Sequence, residues 1–151
     1  MTLVDLHKTL TDALATGKIG TPVSLRLHLQ LADPSTNLAT TMAAVMRIAE
    51  TVFDIPSATL SAQRDVGERQ LNVLIESANG QTVSLTIGRG CTDVATLDLL
   101  LVGNHGVVRM DGTEFFDEAS LESPVPAADQ DGRDWQTPLE TCLTTNKVVE
   151  I

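Results

Sequence analysis

The sequence predicts an α+β protein: an open, mainly antiparallel mixed β-sheet with helices packed on one face. Leucines recur at helical spacing near the N-terminus, and several later segments place apolar residues at every second position. The dipeptide Asn79-Gly80 separates two of these alternating segments, and it is the strongest short signal for an antiparallel hairpin in the chain. A length of 151 residues with 42% apolar residues supports one domain, residues 1–151, with a substantial core.

The first predicted element is an amphipathic helix. Thr2 and Asp5 have the spacing of a helix N-cap pair, and Gly17 supplies a left-handed stop. The apolar stripe of this helix consists of four leucines at three- and four-residue steps: Leu3, Leu6, Leu10 and Leu14. Gly20-Thr21-Pro22 then turns the chain toward the next element.

A strand with one buried and one polar face is predicted next, because the period changes to two. Its apolar positions are Val23, Leu25, Leu27 and Leu29, and its polar positions are Ser24, Arg26, His28 and Gln30. The segment 33–37 breaks the strand and caps a second helix over about residues 37–53. The predicted core stripe of that helix is Leu38, Met42, Val45, Ala49 and Val52.

The rest of the chain is predicted to be mostly strands. Alternation and turn residues place them at 58–63, 69–76, 82–87, 97–103 and 106–110, with a short strand at 114–116. The proline- and glycine-containing segment 123–133 is predicted to be a loop or linker within the domain. A short helix at 135–145 and a short strand at 147–151 complete the expected order.

Composition excludes several classes of partner. Ten basic and twenty acidic residues give a net charge of -10, which disfavours binding to nucleic acid or to anionic membranes. The longest apolar run, residues 99–102, is too short to span a bilayer, and the N-terminus shows no signal peptide. Cys91 and Cys142 are predicted to be reduced thiols, packed rather than reactive. We therefore expect a cytoplasmic protein.

Three segments resemble the C-terminal domain of the Gfo/Idh/MocA oxidoreductases, which use a nicotinamide cofactor. They are Ala15-Thr16-Gly17-Lys18-Ile19-Gly20-Thr21-Pro22-Val23-Ser24, then residues 100–112 around Gly103-Asn104-His105-Gly106, and the ending from Leu143 to Ile151. The order of predicted elements extends this resemblance over nearly the whole chain. It implies a stand-alone domain without the family's Rossmann half, which would precede it. It also implies a sheet whose open face is available for subunit association.

The resemblance places the family's catalytic set on the second helix, and the match fails there. The family carries an Asp, a His and an Asp on this helix, used for substrate binding and proton transfer. Here those positions are Thr40, Ala44 and Arg47, and no histidine occurs between His28 and His105. A threonine, an alanine and a permanently protonated arginine supply no general acid or base. We therefore predict no catalytic residues and no bound cofactor.

Other motifs that could be functional sites lack the features that such sites require. Gly88-Arg89-Gly90-Cys91-Thr92-Asp93 lacks the third glycine of a dinucleotide loop and follows a hairpin strand. Cys91 and His105 could form a nucleophile and base, but two cysteines and three histidines allow such sets by chance. His7 is isolated, and Asp129-Gln130-Asp131-Gly132 lacks the rest of a calcium loop, so we predict no metal site.

Three functions follow, of which we favour a non-catalytic association domain. It would form a homo-oligomer or dock to a full-length family relative through the sheet, with the interface residues Ser24, Arg26, His28, Gln30 and Leu74. An alternative is the C-terminal half of a split NAD(P)-dependent oxidoreductase, completed by a separate Rossmann subunit. Another is a small module for an anionic ligand, in which Arg47 and Thr40 are the contacts.

Overall fold

A computed structural model describes residues 1–55, 57–111, 116–122 and 134–151. The predicted loop 123–133 and most of the predicted strand 114–116 lie outside these residues. Three α-helices are present in the described part, together with a short 3-10 helix at Glu118–Glu122. The α-helices are α1 (Leu3–Ala15), α2 (Leu38–Val52) and α3 (Gln136–Thr145). These bounds agree with the predicted helices to within two residues at each end.

The helices begin where the sequence provides caps. The Thr2 hydroxyl accepts a hydrogen bond from the Asp5 amide at 3.1 Å, and the Asp5 carboxylate accepts one from the Thr2 amide at 2.9 Å. This reciprocal pair is the predicted capping box. The Asn37 side chain caps α2 by accepting from the Thr40 amide at 3.1 Å. Gly17 adopts the left-handed conformation with φ +70°, as its place after α1 predicts.

Seven strands form one sheet in the order β6-β5-β1-β4-β3-β2-β7. Their bounds are β1 (Pro22–Leu31), β2 (Ala58–Arg64), β3 (Gln70–Ser77), β4 (Thr82–Arg89), β5 (Thr96–Gly103), β6 (Val107–Met110) and β7 (Val149–Glu150). The central pair β1 and β4 is parallel, and every other neighbouring pair is antiparallel. The predicted open, mainly antiparallel mixed sheet is therefore confirmed.

All three α-helices pack on one face of the sheet. Helix α2 lies over β3 and β4, α3 lies over β2, and α1 packs against α2. The predicted stripe of α2 is buried in this layer, with Met42 and Ala49 fully enclosed. Every second residue of the central strands points into the same core, because alternate side chains of a strand face opposite sides. Within the described residues, no helix covers the other face, which we call the open face.

The two predicted hairpins are present. Asn79-Gly80 connects β3 to β4, with Gly80 at φ +81° and the Ser77 amide bonded to the Gln81 carbonyl at 2.9 Å. Asn104-His105 connects β5 to β6, where the Gly103 amide donates to the Gly106 carbonyl at 2.9 Å.

One detail of the first strand was predicted wrongly. Val23 was expected on the buried face, but its side chain is 43% exposed. The register of β1 on β5 shifts between Pro22 and Ser24, so Val23 lies at an irregularity rather than in the regular alternation. None of the described helices is long and apolar enough to cross a membrane.

Candidate functional site

The residues that the sequence predicts as an interface lie together on the open face. Ser24, Arg26, His28 and Gln30 alternate with the buried leucines of β1, so all four side chains lie on this face. Leu74 of β3 joins them because it pairs with Ser84, which in turn pairs with Arg26 across the central strand β4. The five residues thus occupy one contiguous surface.

Cross-strand pairing arranges this surface in rows. One row runs across six strands through Ser61, Leu74, Ser84, Arg26, Leu100 and Arg109. The next row toward the start of β1 runs through Glu150, Thr59, Glu76, Thr82, Ser24, Val102 and Val107. A third row lies on the opposite side of the first row, toward the end of β1, and consists of Gln63, Asn72, Thr86, His28 and Asp98.

Hydrogen bonds join side chains of the third row to one another and to neighbours on their own strands. Asn72 Oδ1 accepts from Thr86 Oγ1 at 2.9 Å and from Gln70 Nε2 at 3.2 Å. The Gln30 amide lies within hydrogen-bond distance of the His28 ring. Gly88 stands beside Gln30, and any Cβ at that position would collide with the Gln30 side chain. The absence of a Cβ therefore lets Gln30 lie over the strand.

The sequence analysis missed several residues of this face. The exposed charged residues that it missed are Glu76, Asp98, Arg109 and Glu150. It also missed Val107, which is 57% exposed on the edge strand β6. Their alternation with buried neighbours is visible in the sequence of each strand. The register that places them in common rows comes from long-range pairing, which no local pattern records.

The outer face of α2 carries the residues that the resemblance aligns with the family's catalytic set. Thr40 and Arg47 are exposed and Ala44 is half-buried, on the side away from the buried stripe, as the spacing predicts. Hydrogen bonds from the Thr137 hydroxyl and amide hold the pKa of the Asp134 carboxyl below its ordinary value. A smaller contribution comes from the Arg47 charge, so this arginine lies near an acidic group.

A cleft of about 410 Å³ lies at the N-terminus of α2. Two arginines and two glutamates contribute to its lining, Arg64, Arg89, Glu68 and Glu140. Arg64 forms an exposed ion pair with Glu68 at 3.3 Å, and Arg89 donates to the Thr36 carbonyl. The formal charges of the cleft cancel, and neither Thr40 nor Arg47 lines it. The two predicted ligand contacts therefore do not share this cleft.

The topology separates the candidate nucleophile from its candidate base. Cys91 follows the end of β4, beside the start of β5, whereas His105 follows the end of β5. A strand of eight residues spans about 25 Å, so the two side chains lie at opposite ends of the sheet. The Gly88–Asp93 segment begins with the last two residues of β4, its Gly90 amide donates to the Leu31 carbonyl at 2.9 Å, and it opens no helix.

The two cysteines have different environments. Cys142 is buried, and its sulfur accepts a hydrogen bond from the Ala62 amide at 3.1 Å. Cys91 is exposed, which corrects the expectation that both thiols are packed. Within the described ranges, no three His, Cys, Asp or Glu side chains approach one another closely enough to hold a metal ion.

Two of the three segments that carry the resemblance lie against each other. The Asn104 amide donates to the Thr21 carbonyl, and the His105 amide donates to the Ile19 carbonyl, both at 3.0 Å. In the opposite direction, the Thr21 amide donates a hydrogen bond to Asn104 Oδ1 at 2.8 Å. The α1–β1 connection and the β5–β6 hairpin therefore form one structural unit.

Solved structures of dehydrogenases share this fold. A probable dehydrogenase from Thermotoga maritima superposes with a TM-score of 0.69 at 14% identity, over 95% of this chain and 61% of its own. Scyllo-inositol dehydrogenase from Lactobacillus casei, solved with NAD(H) and scyllo-inositol, gives 0.68 at 10% identity, with 95% and 61% coverage. A myo-inositol dehydrogenase from Corynebacterium glutamicum gives 0.56 at 14%, with 70% and 37% coverage.

These comparisons establish the fold and its extent. The chain has the fold of the C-terminal part of Gfo/Idh/MocA-type dehydrogenases, as the three sequence segments predicted. It spans about 61% of the length of the first two proteins. No family model matches the sequence, and neither does any curated protein.

Proposed function

We propose that this domain is a non-catalytic association module, related in fold to the C-terminal part of sugar and inositol dehydrogenases, that binds another chain through its open face. The observation that carries the proposal is the open face itself. It extends across all seven strands, and the described helices leave it uncovered. A sheet face of this breadth, with exposed apolar side chains among polar and charged ones, offers a surface against which another sheet can pack.

The size of the face supports a stable interface. Strands lie about 4.8 Å apart and rise about 3.3 Å per residue, so the face covers roughly 700 Å². Burying it on two chains would remove about 1,400 Å² from water, within the range of stable protein complexes. Leu74 is 38% exposed near its middle and Val107 is 57% exposed toward one edge. Burial of these two side chains would remove apolar surface from water and so favour association.

The outer face of α2 supports the non-catalytic part of the proposal. Thr40 and Ala44 carry no group that transfers a proton near neutral pH, and the Arg47 side chain lies near the Asp134 carboxylate. The three positions that the resemblance aligns with the family's Asp, His and Asp therefore carry no general acid or base.

The test is the mass in solution by light scattering over a wide dilution series. We expect the wild-type chain to form a dimer or larger assembly, and Leu74→Glu to shift it toward monomer. Val4→Glu is the matched control, because Val4 is 44% exposed on α1, away from the open face. A wild-type chain that is monomeric at every concentration, and that binds no full-length relative, would contradict the proposal.

A second candidate is the C-terminal half of a split NAD(P)-dependent oxidoreductase. It is favoured by the likeness to scyllo-inositol dehydrogenase, of which this chain matches 61%. A separately encoded Rossmann subunit would then bring the cofactor, and a residue other than Thr40, Ala44 and Arg47 would move the proton. Nicotinamide absorbance after mixing with such a subunit distinguishes this candidate from the association module.

A further inference from the structure

The tip of the β3–β4 hairpin is exposed and holds an asparagine followed by a glycine. Ala78, Asn79 and Gly80 are all exposed, and they connect the two strands beyond the regular pairing. Gly80 has φ +81°, and no described atom lies within 4 Å of the place that a Cβ would take. The Asn79 carboxamide forms no hydrogen bond with any described residue. Because an exposed loop tip is weakly restrained, this side chain can rotate toward the backbone that follows it.

The other asparagines of the chain each lack one of these features. Three of them accept a hydrogen bond through the side-chain oxygen, at 3.1, 2.9 and 2.8 Å: Asn37, Asn72 and Asn104. Asn146 precedes Lys147, whose side chain crowds any ring that closes on its backbone nitrogen. Asn79 therefore combines an unbonded carboxamide with a next residue that has no side chain.

From this combination we propose that Asn79 is a site of spontaneous deamidation. The Gly80 nitrogen attacks the carbonyl carbon of the Asn79 side chain and forms the C–N bond of a succinimide ring. The bond from that carbon to the side-chain amino group breaks, and ammonia leaves with the proton that the Gly80 amide gives up. Water then adds to one of the ring carbonyls and reopens the ring. The products are aspartate and isoaspartate, in which the main chain runs through the side-chain carboxyl carbon.

The turn slows this reaction but does not prevent it. The Gly80 amide donates to the Ser77 carbonyl at 3.0 Å, so its nitrogen can attack only when this hydrogen bond opens. The bond lies beyond the last β3–β4 pair, Glu76 with Thr82, so its opening leaves the strand pairing intact. A single hydrogen bond contributes little net free energy, and we expect the folded chain to react within about tenfold of the rate of the unfolded chain.

Both products alter an acidic corner of the molecule. The hairpin tip borders an open cleft of about 680 Å³, whose lining includes Glu76 and Glu150. A carboxylate at position 79 adds a negative charge beside them. Isoaspartate also adds a methylene group to the main chain, which lengthens the turn that the hydrogen bond between Gly80 and Ser77 closes. We therefore expect the melting temperature of the protein to fall as the products accumulate.

The test follows the tip of the folded chain during incubation at neutral and at mildly alkaline pH. Trypsin cleaves after Arg69 and Arg89, so Asn72 and Asn79 lie in one peptide and the first serves as an internal control. Fragmentation in a mass spectrometer locates the replacement of the amino group by a hydroxyl group. We expect conversion at Asn79, faster at alkaline pH, and none at Asn72 over the same period. Labelling with an isoaspartate-specific methyltransferase distinguishes isoaspartate from aspartate.

Asn79→Gln is the matched variant, because it keeps the carboxamide and the charge but would have to close a larger ring, which is much slower. It should abolish labelling of the tip peptide and leave the melting temperature of incubated protein equal to that of fresh protein. Circular dichroism checks that the variant is folded. Equal conversion at Asn72 and Asn79 would overturn the proposal. So would an absence of conversion in the folded chain under conditions in which the urea-unfolded chain converts. Neither result depends on whether the chain associates.

Discussion

Carboxylates near helix starts accept hydrogen bonds from neighbouring amides and hydroxyls. Asp134 Oδ1 accepts from the amides of Gln136 at 3.0 Å and Thr137 at 3.4 Å, and Oδ2 accepts from the Thr137 hydroxyl at 2.5 Å. The Trp135 side chain makes no capping hydrogen bond, so the Asp134 carboxylate accepts the hydrogen bonds of the first turn of α3. The same kind of bond, from Thr2 to Asp5 and from Ser35 to Asp33, lowers the pKa of those carboxyls too.

The lowered pKa of Asp134 predicts a pH-dependent contribution to stability. A carboxyl with a depressed pKa in the folded state stabilises it above the pKa of the unfolded chain, and this contribution is lost as pH falls through the folded-state value. The melting temperature of Asp134→Asn should therefore lie below that of the wild type near neutral pH and approach it below about pH 4. Asp12→Asn, in the last turn of α1 rather than at a helix start, is the control. An Asp134→Asn difference that persists unchanged in acid would contradict this role.

At the level of elements, the contact between the α1–β1 connection and the β5–β6 hairpin depends on glycines. A Cβ at Gly103 would overlap the Ile19 carbonyl oxygen, and one at Gly20 would overlap Asn104 Oδ1. Gly20 also has φ +70°, a conformation that residues with a Cβ rarely adopt. These close approaches explain why glycines stand at these positions of the two segments.

Gly103→Ala should therefore be destabilising. The added methyl group must displace backbone, which costs about 1–3 kcal/mol of unfolding free energy, measured by urea denaturation. Gly67→Ala is the matched control, because its Cβ would lie at an ordinary 3.6 Å from Asp65 Oδ2. We expect that substitution to change stability by less than about 0.5 kcal/mol. Equal effects of the two substitutions would show that the contact is not close in solution.

Helix α2 has one face buried in the core and one face exposed. Its buried stripe matches the apolar period of its sequence, so the helix packs over β3 and β4. On the outer face, Thr40 and Arg47 are exposed, and exposed helix positions accept most residues with little change in stability. The core therefore does not dictate which residues stand at these two positions.

For the whole molecule, the proposed association through the open face predicts that stability depends on protein concentration. Binding of a second copy to the folded state alone stabilises it by mass action. The melting temperature of the wild type should therefore rise with concentration, and that of Leu74→Glu should not. Differential scanning fluorimetry over a wide concentration range measures this. A wild-type melting temperature that is independent of concentration would contradict a dimer that forms in this range.

The sequence alone determines the elements and most of the core, because capping residues, apolar periods and turn dipeptides act over a few residues. Three predicted features are present: the capping box of Thr2 and Asp5, the buried stripe of α2, and the hairpin at Asn79-Gly80. Only the tertiary structure decides the strand order, the parallel pairing of β1 with β4, and the rows of the open face. Those features arise from contacts between residues far apart in the chain, so Glu76, Asp98, Arg109 and Glu150 could be assigned to one surface only after the register was known.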